Sequence, residues 1–96
     1  MTREHEGMSL ARSILEILAE ITGSDEVRRD LDVPLFDRRL LDSLGTVELI
    51  VRLGEELHLE ISPADVDRAT WATPRLLIAN VEYRLKRTGS PEYTAQ

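Results

Sequence analysis

Leu10, Ile14, Ile17, Leu18 and Ile21 recur three and four residues apart, which is the period of one helical face. The same spacing returns in Leu76, Leu77, Ile78, Val81 and Leu85. Between these blocks, Leu44, Val47, Leu49, Ile50, Val51, Leu53 and Leu57 form a broader apolar surface. A helix apolar on more than one side is either deeply buried or docks a partner. The helical period dominates, and no strand is expected. The chain is therefore expected to be all-α, a bundle of three longer helices and one short one.

Local signals set the expected ends. Ser9 is a candidate N-cap for the first helix and Thr22-Gly23 its stop. The second helix is expected over about 43–57. Ser62 and Pro63 open a short third helix ending near Ala69, with Asp65 completing a capping-box pattern. Thr73-Pro74 repeats the signal for the last helix, about 74–87, stopped by Gly89. Residues 24–42 form a long connection, with a short helical turn near 25–29. Val33, Leu35, Phe36, Leu40 and Leu41 are expected to pin it to the core. One domain over 9–88 follows, with a disordered tail at 1–8 and a flexible one at 89–96.

With 96 residues, the chain supports one modest core. It has no cysteine, hence no disulfide framework, thiolate nucleophile or thiolate metal site. No apolar run approaches a membrane span of about 20 residues, and MTREHEGMS lacks a signal-peptide core. A soluble, cytoplasmic protein is the expectation. Net charge is −6, and it is unevenly placed: residues 42–67 hold seven acids against one base, Arg52. Such a segment argues against nucleic acid, whose phosphates need a basic face, and favours a partner with a basic docking surface.

Ser43, in LLDSLGTVEL, is the residue that needs explaining. As a nucleophile it would need a base within hydrogen-bond reach. His58 lies fifteen residues away along a helix, roughly 22 Å, and His5 lies in the N-terminal tail. No carboxylates are paired for acid–base work, and two isolated histidines make a poor metal site. Enzyme chemistry and a metal site are not expected. As a cap, either Asp42 or Ser43 would serve. Gly45, however, is costly early in a helix, and a small residue there suits close approach by another molecule. As an attachment handle, Ser43 at a helix N-terminus would suit a phosphodiester.

The blocks LFDRRLLDSLGTVEL, around Ser43, and DRATWATP, at 67–74, carry a resemblance. The chain resembles the acyl carrier protein superfamily, and within it the D-alanyl carrier proteins of the D-alanine–poly(phosphoribitol) ligase system, over roughly 9–87. The resemblance implies an acyl-carrier-protein-like four-helix bundle with a long first loop. It implies that Ser43 receives 4′-phosphopantetheine from coenzyme A, with Asp42 orienting the transferase reaction. Leu44, Val47, Glu48, Val51 and Glu55 would form the partner-docking face. The implied partners are a phosphopantetheinyl transferase, a D-alanine-activating ligase and a membrane-bound acyltransferase that passes the residue toward a cell-envelope polymer. The protein would be a non-catalytic monomer. Trp71 is expected to be buried and Arg68 to make a local ion pair. Two alternatives stand beside this reading: a carrier for fatty-acid, polyketide or other secondary-metabolite assembly, and a helical interaction module without a prosthetic group.

Overall fold

A computed structural model of the chain describes the backbone of residues 2–89 and the side chains of 10–87. Three long helices, α1 (Thr2–Thr22), α3 (Ser43–Leu57) and α4 (Pro74–Gly89), carry the fold, and a single helical turn, α2 (Glu26–Arg29), interrupts the first connection. No strand occurs among the described residues. α1 packs against both α3 and α4. The core is aliphatic around one aromatic: Ile14, Ile17, Leu18, Leu49, Leu53, Leu77 and Val81 surround the fully buried Trp71. No polar or charged side chain is buried there among the described residues.

α1 starts at Thr2 rather than Ser9, so Ser9 lies inside the helix and the expected tail at 1–8 is helical from Thr2 onward. The physical reason is propensity. Only Gly7 disfavours helix in REHEGMSLAR, no proline intervenes, and a serine can cap only where the preceding residues leave the helix. The last helix meets its expected start at Pro74 and runs on to include Gly89. The rest of the expected C-terminal tail, 90–96, lies outside the described residues.

The expected short third helix is instead two 3-10 turns, Pro63–Asp65 and Arg68–Trp71. Ser62 accepts the Ala64 amide through its hydroxyl, and the Asp65 amide reaches the Ser62 carbonyl at 2.8 Å, closing a three-residue ring. Asp67 does the same for the second turn, accepting from Ala69 at 3.0 Å. Each opener caps a turn too short to propagate, because Val66 adopts extended backbone between them.

The first connection is held as its apolar residues suggest. Val33, Leu35 and Leu41 are buried, and Phe36 and Leu40 pack against the same core. The Leu35 amide bonds to the Ala72 carbonyl at 2.8 Å and the Arg75 amide to the Leu31 carbonyl at 3.0 Å, so the loop is stitched to the start of α4. Asp32 adds a two-pronged pair with the Arg75 guanidinium at 2.9 and 3.1 Å. That guanidinium holds the Asp32 carboxyl below its usual range.

Candidate functional site

The start of α3 settles which residue caps it. Asp42 has extended backbone, and its Oδ1 accepts the Gly45 amide at 2.8 Å. Its carbonyl accepts both the amide and the hydroxyl of Thr46, each at 2.8 Å. Ser43 then occupies the first helical position, exposed, its hydroxyl without a hydrogen bond among the described residues. The capping reading of Ser43 is thereby removed: the work it would do is done by its neighbour. His58 sits at the opposite end of the helix, in left-handed backbone, where it closes the C-terminus through its amide on the Gly54 carbonyl.

Gly45 departs from expectation. It is buried, and the molecule that approaches it is the chain itself. A Cβ there would stand 3.2 Å from Leu41 Cδ1, 3.2 Å from Asp42 Oδ1 and 3.4 Å from Ile21 Cγ2. The glycine thus lets the end of α1 and the incoming loop close onto the first turn of α3 while the Asp42 cap stays in place.

The rest of α3 divides by face. Leu49 and Leu53 are buried with Gly45. Leu44, Val47 and Val51 are exposed to 70, 45 and 50%, too much for core packing to account for them. Glu48 and Glu55 are exposed on the same stretch. The residues at 44, 47, 48, 51 and 55 follow the three-and-four spacing of one helical stripe, which continues from Ser43 along the helix. Arg52, the lone base of the acidic segment, is committed to Glu20 of α1 at 2.8 Å and to Glu56 at 2.7 Å, and these carboxylates raise its already high pKa.

The DRATWATP block stands behind this face and does not enter it. Trp71 is fully buried as expected, and its Nε1–H donates to Asn80 Oδ1 at 2.8 Å. The same oxygen accepts from Arg84 Nε at 2.8 Å, and Arg84 reaches the Asp65 carbonyl at 3.1 Å. Arg68 was expected in an ion pair; its guanidinium instead lies over the Phe36 ring, 4.5 Å from the centroid. The half-buried loop aromatic offers the cation a planar face. Asn80 and Arg84 carried no signal in the sequence, since a polar residue on a helix announces its partner only once the facing element is known.

The donor set fits a phosphodiester on Ser43. A primary hydroxyl stands free at a helix start, where backbone N–H groups and the positive end of the helix favour negative charge. Residues 12–81 match the family described as the phosphopantetheine attachment site. Fold and match together define a class, the helical carrier protein with a covalent phosphopantetheine arm. Within that class the chain is 43% identical over 74 residues to the D-alanyl carrier protein of Lacticaseibacillus casei (strain BL23), covering 77% of this chain and 91% of the relative. It is 43% identical over 75 residues to the D-alanyl carrier protein of Enterococcus faecalis (strain ATCC 700802 / V583), covering 78 and 96%. The corresponding protein of Listeria monocytogenes serotype 4b (strain CLIP80459) is 41% identical with the same coverage. The chain belongs to the D-alanyl carrier protein family.

Proposed function

We propose that Ser43 carries the 4′-phosphopantetheine and that the carried residue is D-alanine. The observation that supports Ser43 is its exposed, uncommitted hydroxyl at the first position of α3, freed by the Asp42 cap. In the loading reaction Ser43 Oγ attacks the pyrophosphate phosphorus nearer the pantetheine. An Oγ–P bond forms, the anhydride P–O bond breaks, adenosine 3′,5′-bisphosphate leaves with the electron pair, and the serine proton passes to a base of the transferase. Asp42 commits one carboxylate oxygen to Gly45, and the other would help orient the transferase reaction. When attached, the group supplies a thiol that holds D-alanine as a thioester; the protein supplies position and docking.

Leu44, Val47, Glu48, Val51 and Glu55 form the docking stripe, in which exposed apolar residues stand beside two carboxylates. It serves in turn the phosphopantetheinyl transferase, the ATP-dependent D-alanine ligase and the membrane-bound acyltransferase that carries the residue toward a cell-envelope polymer. No described helix is long and apolar enough to cross a membrane. A cytoplasmic carrier meeting its last partner at the membrane surface accounts for this.

Intact mass spectrometry tests the proposal in two stages. Incubation with coenzyme A and a promiscuous transferase should add one phosphopantetheinyl unit to the wild type and none to Ser43→Ala. Addition of ATP, D-alanine and the ligase from the same genome should then add one alanyl unit, with less from L-alanine. Uptake of the arm by Ser43→Ala would overturn the site. An arm that accepts no alanine from an active ligase would overturn the cargo and leave the carrier.

A further inference from the structure

A groove runs between the last turn of α1 and the middle of α3, lined by Glu20, Ile21, Val47, Glu48, Val51 and Arg52. Its floor is apolar and half open to solvent, through Val47 and Val51 from α3 and Ile21 from α1. Its rim is acidic, with Glu20 on one wall and Glu48 on the other, and Arg52 ties the Glu20 wall to α3. Near its upper end Ile21 packs against the first turn of α3, its Cγ2 standing 3.4 Å from where a Cβ of Gly45 would be. The groove begins at Val47, one turn and about 6 Å beyond Ser43.

We infer that this groove is a two-walled docking site, and that α1 as well as α3 is read by the enzyme that modifies Ser43. Its occupant is a loop or helix of the phosphopantetheinyl transferase bearing one apolar side chain beside basic ones. The charge of the groove selects that chemistry. Its lining holds two carboxylates, Glu20 and Glu48, against one base, Arg52, which is already shared between Glu20 and Glu56. Proximity selects the enzyme: a catalyst acting on Ser43 Oγ must bring its own surface to the first turn of α3, where the groove starts. Glu20 is then a specificity residue, and Arg52 offsets part of the negative field that Glu20 presents.

This inference rests on Ser43 being the modified residue, and the test separates the two. Steady-state modification of the full chain by a promiscuous transferase is measured for Glu20→Lys, Arg52→Gln and, as a control on the far helix, Glu82→Lys. Glu20 and Glu82 are both exposed, so each reversal leaves the core untouched. Glu20→Lys should raise the carrier's KM about fivefold with kcat unchanged, while Glu82→Lys changes it little. Arg52→Gln should lower KM, because it removes the groove's only base, although it loosens α1 from α3. Equal effects of Glu20→Lys and Glu82→Lys would overturn the role of α1. A rise in KM for Arg52→Gln would reduce the ion pair to a structural brace and overturn the docking role as well. A concentration-dependent dimer seen by light scattering and abolished by Glu20→Lys would assign the groove to a second copy, and so overturn the inference. Absence of modification in every protein, wild type included, would instead strike the Ser43 reading.

Discussion

Arg39 and His58 hold left-handed backbone at φ 60° and 57°, a region where a side chain with a Cβ is strained. Each closes a helical turn. Around Arg39 the amides of Arg38, Arg39 and Leu40 reach the carbonyls of Pro34, Phe36 and Leu35, so residues 34–39 wind as one turn and end as a helix C-terminus does. Glycine is the usual occupant of both positions, and Arg39→Gly and His58→Gly should each raise stability by about 1 kcal/mol in urea denaturation. The helical glycines predict a contrast. A Cβ at Gly54 would meet only the Leu59 carbonyl at 3.6 Å, so Gly54→Ala should stabilise by up to about 1 kcal/mol. At Gly45 the same propensity gain meets the buried Leu41 and the hydrogen-bonded Asp42 carboxylate, neither free to retreat, and Gly45→Ala should lower the midpoint instead. Loss of the cap in Asp42→Ala should cost about 1 kcal/mol, whereas Ser43→Ala should leave stability unchanged. That separates the two neighbours by calorimetry alone.

The elements are joined by a few polar contacts with unequal stakes. Asn80 takes the Trp71 indole N–H inside the bundle and ties α4 to both 3-10 turns through Arg84. Asn80→Leu would leave that indole donor without a partner in an apolar site, at a cost of about 1–3 kcal/mol and with a changed near-ultraviolet circular dichroism band from Trp71. The Asp32–Arg75 pair between the first connection and α4 is solvent-exposed, so its contribution is small and screened. Its pH dependence has a definite sign. The folded-state pKa of Asp32 lies below its unfolded value, so the pair stabilises above the ordinary aspartate range and the contribution is lost as pH falls through the folded pKa. Arg75→Gln should therefore melt slightly below wild type at pH 7, and the gap should close under strongly acidic conditions. The first 3-10 turn was legible as a capped start but not as 3-10, and the second was not legible at all, because Ser62 marks where a helix opens and says nothing of how soon the chain must turn back to bury Trp71.

At the scale of the whole molecule, acidic and basic charge are sorted onto different segments. The acidic segment runs along α3, while residues 68–89 hold five bases and one acid. If α3 docks enzymes through complementary charge, the carrier's KM for the transferase should rise steeply between low and physiological salt while kcat stays level. Much of this was readable in advance. Periodicity placed three long helices, and the bounds of α3 agree with it, because burying an apolar stripe along one helical face requires that spacing whatever the stripe packs against. The DSL serine, the acidic segment and the DRATWATP block pointed to a carrier for the same local reason. Tertiary structure alone decided the rest. Whether Leu44 and Val47 face solvent, whether Gly45 meets a partner or its own Ile21, and whether Glu20 shares a groove with α3 all depend on distances between segments far apart in the chain. A one-dimensional pattern records which residues share a face; only packing determines what that face meets.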